Sequence, residues 1–269
     1  MPEIVEIKLT SEELHDELAG KYITSIRLGE RAKHKGLDTI KTGTLINKVY
    51  SKGKKIVFEL IYNGIYRYIC SSLLMEGHWG WDDSLPHIQL TLSYGRKVND
   101  KLYVVEDRLY FDDTRYFGSN IVYPDISFLD AIGPDLLQDT ITPMDYYDVA
   151  SKINRQVCAF LLEQKYFSGV GNYLKSEILY RARIHPAAIV KDLDKETILK
   201  LFNVTINTIN ESYRSGGLTI KSFRTPSGKN GRFKCLVYNK TTDPLGFKII
   251  KETFKDNRTT HYVPEIQRL

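Results

Sequence analysis

The second and third residues of the chain have side chains that together can perform covalent catalysis. Removal of Met1 is expected because Pro2 is small, and it would leave Pro2 with a free secondary amine. Since the pKa of an α-amino group is about 8, a usable fraction of this amine is an unprotonated nucleophile at neutral pH. It can attack an electrophilic carbon and persist as an iminium, while the adjacent Glu3 is placed for proton transfer. Met-Pro-Glu alone is a weak signal, because most such N-termini are inert.

A glycine-rich turn in the middle of the chain is the second chemical motif. Gln164 is followed at a spacing of five by Gly169-Val-Gly171-Asn172 and then by a helical pattern. Two glycines before a helix allow backbone N–H groups to approach an anion such as phosphate, and Asn172 can donate its amide to the same group. The pattern therefore predicts an anion site, the alternative being a glycine-broken helix-turn-helix that binds no DNA.

The two motifs, in this order, resemble the formamidopyrimidine-DNA glycosylase/endonuclease VIII family, and the resemblance spans the whole chain. In that family the N-terminal Pro-Glu pair is catalytic, and Gln-x4-Gly-Val-Gly-Asn belongs to a helix-two-turn-helix motif. The resemblance implies that Pro2 attacks C1′ of a damaged nucleoside, expels the base and then permits strand cleavage by elimination. It implies a bifunctional DNA glycosylase/AP lyase for oxidised bases, with pyrimidines favoured over formamidopyrimidine or 8-oxoguanine.

Further positions match the family in order and imply roles in DNA binding and catalysis. Gly53-Lys54 resembles the turn whose catalytic-site lysine contacts a phosphate beside the lesion. Met75 resembles a wedge, and Arg115 with Phe117 resembles the loop that supplies an arginine and an aromatic ring, so that these residues fill the void of a flipped nucleotide. Arg258 stands where the family places a phosphate-gripping arginine. The alternatives are core packing for Met75 and Phe117 and free solvation for the cations.

The metal-binding pattern of many family members is missing here. Where four cysteines would hold a zinc finger, the matching positions are Leu245, Lys248, Val263 and Ile266, which are not a zinc-ligand set. We therefore expect no metal and no cofactor, with the terminal hairpin held by apolar packing and ladder hydrogen bonds.

Two other departures concern the substrate more than the reaction. Val5 replaces a second proline usual in the N-terminal motif, which relaxes the backbone without removing the amine. Cys158 stands where many members carry a DNA-contacting lysine, so that a phosphate contact is weakened or the lesion preference is shifted. Both changes leave Pro2 and Glu3 intact.

The elements that must position these residues indicate an α+β protein of two domains. We expect an N-terminal antiparallel β-sandwich at 1–132 and a helix-two-turn-helix domain at 133–269, which ends in a zincless β-hairpin finger at about 234–269. An early helix is predicted at Ser11–Leu18 with Ser11 as its N-cap. Apolar periodicity predicts later helices near 145–165, 173–181, 195–215 and 219–223. Residue types predict terminal strands at 235–238, 247–250 and 258–263.

Charge and composition indicate which class of molecule the chain binds. Residues 214–269 hold 12 Lys and Arg against 4 Asp and Glu, whereas residues 1–130 hold 17 against 19. A basic, aromatic-containing tail suits a nucleic acid, the alternative being a solvated basic face. We expect double-stranded DNA with damaged bases or abasic sites as the partner, no membrane, a monomer, and an intracellular location in the cytoplasm, nucleoid or nucleus. The rival functions are a catalytically idle damaged-DNA-binding protein and an RNA-binding protein.

Overall fold

The computed structural model describes residues 2–29, 34–99, 102–219 and 223–269. These residues divide into two compact units, which we call the sheet unit and the helical unit. The sheet unit is built on Glu6–Asp130 and takes in Thr219–Gly231. The helical unit is built on Ala131–Leu218 and Arg232–Leu269, and it takes in Glu3–Val5. No helix among the described residues is long and apolar enough to cross a membrane.

The first helix, α1, spans Ile4–Leu18 and is longer than the sequence suggested. Ser11 is not its N-cap, because the helix begins seven residues earlier and the Ser11 hydroxyl donates instead to the Lys8 carbonyl oxygen at 2.8 Å. Thr10 likewise donates to the Glu6 carbonyl oxygen at 2.8 Å. Hydroxyls that bond back to the preceding turn are compatible with a helix interior, and this explains why the predicted start was wrong.

The sheet unit contains one antiparallel sheet with eight strands in its described residues. In the order along the sheet, β5 is followed by β7, β6, β1, β2, β3, β4 and β8. The strands span β1 Tyr22–Leu28, β2 Thr44–Lys52, β3 Lys55–Tyr62, β4 Ile65–Ser72, β5 His78–Gly80, β6 Ile88–Val98, β7 Leu102–Asp112 and β8 Ser119–Tyr123. The turn between β3 and β4 is Asn63-Gly64, a pair that favours a tight hairpin, and both residues have positive φ, 49° and 76°.

This sheet folds over on itself into two facing layers. Trp79 lies on β5, at one end of the strand order, yet its ring centroid is 5.4 Å from that of Phe58 on β3. Its indole N–H donates to the hydroxyl of Ser71 on β4 at 2.9 Å. Contacts between strands that are distant in the order require the sheet to close, so the predicted α+β class with an antiparallel N-terminal layer structure is confirmed.

The helical unit contains four further helices: α2 Pro143–Ala150, α3 Val157–Leu162, α4 Asn172–Ala182 and α5 Lys195–Arg214. The single helix predicted near 145–165 is wrong, because the chain leaves helical geometry between α2 and α3. There the Val190 N–H donates to the Arg155 carbonyl at 3.0 Å, and the Val157 N–H to the Ala188 carbonyl at 2.8 Å. Pairing with a distant segment thus replaces the local helix. The helix predicted at 219–223 lies largely outside the described residues.

The chain ends in a two-stranded hairpin of β9, Ile250–Thr253, and β10, Thr259–Tyr262. The hairpin is as predicted, although the strand expected at 247–250 begins only at Ile250. The strand expected at 235–238 is wrong, because this segment forms turns. Its backbone N–H groups bond to a buried carboxylate instead of to a neighbouring strand, as described below.

Candidate active site

The carboxylate of Glu3 is fixed at the start of α4. Its oxygens accept the backbone N–H groups of Gly171 at 2.7 Å, Tyr173 at 2.8 Å and Leu174 at 3.3 Å. These are the N–H groups that a helix leaves without intrahelical partners, and the helix dipole favours a negative charge there. Because only 1% of Glu3 is exposed, its side chain is held in one orientation inside the protein.

The glycines of the predicted anion turn make room for the beginning of the chain. A Cβ on Gly171 would lie 2.3 Å from Cδ of Glu3, and one on Gly169 would lie 2.3 Å from Cδ1 of Ile4. Gly169 also accepts the Ile4 N–H at 3.1 Å and has φ +117°, which favours glycine. The expectation that the Gly171 N–H holds a phosphate therefore needs correction, since the anion that it binds in this structure is Glu3.

Gln164 keeps this turn in shape. Its amide donates to the carbonyl oxygens of Leu162 at 2.7 Å and Val170 at 3.1 Å, and its carbonyl accepts the Gly169 N–H at 2.9 Å. One side chain thus satisfies three backbone groups of an irregular segment that has no strand or helix to do so. The spacing of Gln164 from the glycines is explained by this internal bracing.

The first turn of α4 also holds the tip of the terminal hairpin. The side-chain amide of Asn172, which was predicted to bind a phosphate, donates one hydrogen bond to the Thr259 carbonyl at 3.1 Å. Lys175 pairs with Asp256 at 2.5 Å, and both side chains are buried, at 0% and 3% exposure. Arg258 lies at this tip and is exposed, as a phosphate contact requires. Sequence reasoning missed the Lys175–Asp256 pair, because the partners lie far apart in sequence.

Glu177, one turn further along α4, holds the turn that precedes the hairpin. Its carboxylate accepts the N–H groups of Leu236 at 2.8 Å, Val237 at 2.9 Å and Tyr238 at 2.8 Å. We call this arrangement the Glu177 clasp. It explains why residues 235–238 are not a strand despite their apolar, β-favouring types, since their N–H groups are already satisfied. The sequence signal was an acidic residue at the centre of α4, followed directly by the apolar Ile178 and Leu179.

The hairpin offers no site that fits a zinc ion. Val263 is fully buried in an apolar cluster with Tyr180, Val237 and Ile249, and Ile266 packs against it. The other two matching positions, Leu245 and Lys248, are exposed. Within the described ranges there is also no group of three or more His, Cys, Asp or Glu that could hold a metal. Apolar side chains and the Glu177 clasp thus occupy the place of metal ligands.

In the sheet unit, two of the residues predicted to fill a void, Met75 and Arg115, contact each other at the surface. The guanidinium of Arg115 lies 3.8 Å from the sulfur of Met75 and pairs with Glu76 at 2.9 Å. Met75 and Phe117 are 38% and 48% exposed, so both apolar side chains are accessible to a partner at the surface. The buried Asp113 shapes the loop by accepting the N–H groups of Arg115 at 3.0 Å and Gly118 at 2.5 Å.

A polar cavity of about 370 Å³ opens beside this group in the sheet unit. It is lined mostly by charged, polar and small residues: Glu76, His78, Gly80, Asp82, Leu85, Asp112, Thr114, Arg224, Pro226 and Gly228. Burial lowers the pKa of His78, and the charge of Arg224 lowers it further. Burial also raises the pKa of Asp112. The cavity therefore presents a cation and several acceptors within a partly desolvated space.

Two predicted residues remain to be placed. Pro2 belongs to the sheet unit, is buried, and directly precedes Glu3. Lys54 follows Gly53, whose φ is 55°, in the turn that joins β2 to β3, and it is partly buried. Lys54 thus lies on a tight hairpin turn between paired strands, which restricts the positions its ammonium can reach.

Comparison with known proteins places these features in a family. Residues 1–120 match the formamidopyrimidine-DNA glycosylase N-terminal domain, and residues 132–224 match the formamidopyrimidine-DNA glycosylase H2TH domain. A formamidopyrimidine-DNA glycosylase from Cytobacillus firmus is 29% identical, and the match covers 99% of this chain and 100% of the relative.

Solved structures agree with the sequence matches. The MutM (Fpg) protein from Thermus thermophilus superposes with a TM-score of 0.86 at 25% identity, over 99% of this chain and 98% of that one. A mutant Fpg from Lactococcus lactis, solved in complex with Fapy-dG-containing DNA, gives 0.85 at 25% identity over 100% of both chains. With both domains matched and the whole fold shared, the chain belongs to the formamidopyrimidine-DNA glycosylase/endonuclease VIII family of DNA-repair glycosylases.

Proposed function

We propose that the protein is a bifunctional DNA glycosylase and AP lyase that acts on oxidised bases, pyrimidines foremost, through the amine of Pro2. The observation that carries the proposal is the fixed carboxylate of Glu3, which directly follows Pro2 and is held by three backbone N–H groups. A buried carboxylate in one orientation beside a nucleophile is suited to proton transfer. The same elements are also consistent with the family to which the chain belongs.

The proposed chemistry needs no group beyond the chain and water. The Pro2 nitrogen, freed of Met1, forms a bond to C1′ while the glycosidic bond breaks and the base leaves with a proton. Opening of the sugar, assisted by proton transfer at Glu3, gives an iminium between the nitrogen and C1′. Loss of a proton from C2′ then expels the 3′ phosphate, and water hydrolyses the iminium to release the enzyme. Because the iminium acts as the electron sink for the proton lost from C2′, strand cleavage follows base removal at the same site.

The proposed DNA contacts use cations on constrained turns. Arg258 at the hairpin tip and Lys54 between β2 and β3 would bind backbone phosphates. A basic tail supports this, since phosphate neutralisation releases counterions. The partner proposed is duplex DNA with a damaged base or abasic site, as in the lesion-containing complex of the Lactococcus lactis relative. For Gly171 and Asn172 we propose an indirect role, in which they position Glu3 and the hairpin.

Met75, Arg115 and Phe117 would stabilise the gap left by an extruded nucleotide. Their exposed apolar surface would replace stacking, and the Arg115 guanidinium would bond to the unpaired base. The neighbouring cavity of about 370 Å³ is large enough for one nucleobase. Arg224 can donate to carbonyl oxygens, and Glu76 can accept from ring N–H groups. Such polar edges suit oxidised bases, which carry additional carbonyl groups.

The burial of Pro2 sets a condition on this proposal. The nucleophile must be reached by deoxyribose, so Met1 must be removed and the terminus must be accessible when DNA binds. Mass spectrometry of the intact protein tests the first requirement, because a mature chain lacks the mass of one methionine.

Borohydride reduction with an oligonucleotide containing an abasic site tests the reaction itself. We expect a covalent protein–DNA adduct that maps to Pro2, is lost in Pro2→Gly, and is strongly reduced in Glu3→Gln. Lys54→Met serves as a comparison, since it would weaken DNA binding without removing the nucleophile. Tight binding of lesion DNA by the mature protein without any adduct would overturn the proposal and favour a catalytically idle DNA-binding protein.

A further inference from the structure

The buried ion pair of Lys175 and Asp256 is unusual in its location and unexplained by the proposed chemistry. The two side chains are 0% and 3% exposed, and the Nζ–Oδ2 distance is 2.5 Å. Burial of two charges is costly, and a buried pair is often no more stabilising than apolar residues of the same volume. Stability alone therefore gives little reason for the pair, whereas its position suggests another role.

The pair links the helix start that holds Glu3 to the turn that carries Arg258. Besides binding Lys175, Asp256 accepts the Arg258 N–H through Oδ1 at 3.0 Å. The other side of the tip is tied by Asn172, whose amide donates to the Thr259 carbonyl at 3.1 Å. Both anchors come from the first turn of α4, so the hairpin tip is attached to α4 on each side of Arg258.

The burial and the backbone geometry around Lys175 and Asp256 indicate that this ion pair is fixed, unlike a mobile pair at the surface. Burial lowers the pKa of Lys175, while the hydrogen bond and charge of Asp256 oppose that shift. Asn257, between the two anchored positions, has φ 54°, so the backbone of the tip is held in a left-handed turn. Arg258 is thus presented by a turn whose geometry depends on its attachment to α4.

We propose that Lys175 is a positioning residue that, through Asp256, holds the Arg258 turn in a DNA-binding orientation on the helix that also orients Glu3. The inference rests on the proposed function, because it assumes that Arg258 binds a DNA phosphate. If the Lys175–Asp256 pair acts by holding Arg258 in place, removing the pair weakens DNA binding because the contact made by Arg258 is lost. The two changes should therefore not be additive.

A double-mutant cycle tests the proposal with the full-length protein. The variant Lys175→Met with Asp256→Ala removes both charges together and leaves no buried charge unpaired. Affinity is measured by fluorescence anisotropy with duplex DNA containing a tetrahydrofuran abasic-site analogue. We expect Arg258→Ala to weaken binding about tenfold in the wild type, and the link variant to weaken it similarly. Arg258→Ala added to the link variant should then cost less than about twofold.

Matched controls separate positioning from general stability. Arg181→Met with Glu211→Gln removes a different ion pair, which joins α4 to α5 with an Nη1–Oε2 distance of 2.5 Å. In this control variant, Arg258→Ala should still weaken DNA binding about tenfold, as in the wild type. Thermal unfolding checks that each variant is folded. Should the link variant fail to fold, Asp256→Asn removes only the charge and keeps an acceptor for the Arg258 N–H. It should weaken binding and reduce the effect of Arg258→Ala.

The outcomes distinguish this inference from the proposed function. A folded link variant, or Asp256→Asn, that binds as the wild type does would overturn the positioning role, and so would a full Arg258→Ala effect in the link variant. Borohydride trapping of the wild type is run in parallel. If the wild type binds DNA and shows the predicted non-additivity but forms no adduct, the catalytic proposal fails while the positioning role stands.

Discussion

Replacement of Glu177 by glutamine should release the terminal hairpin without unfolding the sheet unit. The buried carboxylate accepts three N–H groups, from Leu236, Val237 and Tyr238. A hydrogen bond to a charged group contributes about 1.5–3 kcal/mol, whereas a neutral bond contributes about 1 kcal/mol. Glutamine keeps one acceptor oxygen and turns an NH2 group towards a donor. We therefore expect the local stability of the turn to fall by about 3 kcal/mol.

A loss of this size raises the opening equilibrium of the segment about 100-fold. Hydrogen exchange with mass spectrometry measures it, as faster exchange in peptides that cover 235–262 and unchanged exchange in β2 and β3. Since the opened segment includes Arg258, affinity for lesion DNA should fall as well.

The control is Glu252→Gln, also in the hairpin. Glu252 is exposed and accepts a bond from the Tyr262 hydroxyl at 2.7 Å, so its replacement should change exchange by less than about 1 kcal/mol. If Glu177→Gln left the exchange of 235–262 as slow as in the wild type, the hairpin would be held by apolar packing alone and the clasp would have no energetic role.

Gly171→Ala should reduce base excision about 100-fold in single-turnover assays, the scale of acid–base catalysis, because a Cβ would displace the Glu3 carboxylate. The control is Asn203→Ala, at an exposed position of α5. Met75→Ala should weaken binding to lesion-containing duplex about tenfold, as loss of a stacking group does, with an unchanged thermal midpoint because Met75 is exposed. The pKa of His261 is lowered to about 4, mainly by burial and further by the charges of Lys251 and Lys175. The contribution of neutral His261 to the free energy of unfolding is therefore fully present above pH 6.5 and is lost as the pH falls towards 4. Because phenylalanine does not titrate, the thermal midpoint of His261→Phe should decline less than that of the wild type over this pH range.

Local structure was predicted well from the sequence where it depends only on residues that are neighbours along the chain. Asn63-Gly64 suits a hairpin turn whatever surrounds it, and the periodicity of 195–214 matches α5 closely. The glycine turn at 169–171 was predicted to bind a phosphate, whereas in the structure its Gly171 N–H binds the Glu3 carboxylate. Its occupant was not foreseen, because Glu3 lies 168 residues from Gly171 and nothing local indicates their contact.

Errors arose where tertiary partners override local preference. Residues 235–238 have β-favouring types, but the buried Glu177 takes their N–H groups. Ser11 is a favourable N-cap by type, yet its hydroxyl bonds within a helix that begins earlier. Met75 and Arg115 lie 40 residues apart, and only the family resemblance, not their spacing, predicted that they would meet. Long-range pairing therefore limits what the sequence alone can establish about the site.

The Glu177 clasp also affects how the hairpin tolerates oxidants. Thiolates that hold a metal are oxidised to sulfenic and higher acids, and a finger built on them loses its shape under those conditions. A carboxylate bonded to backbone amides has no sulfur to oxidise and no ion to release. The thiol next to the clasp, Cys235, resists oxidation because burial raises its pKa and keeps it protonated, so the element that carries Arg258 does not depend on a reactive thiolate for its shape.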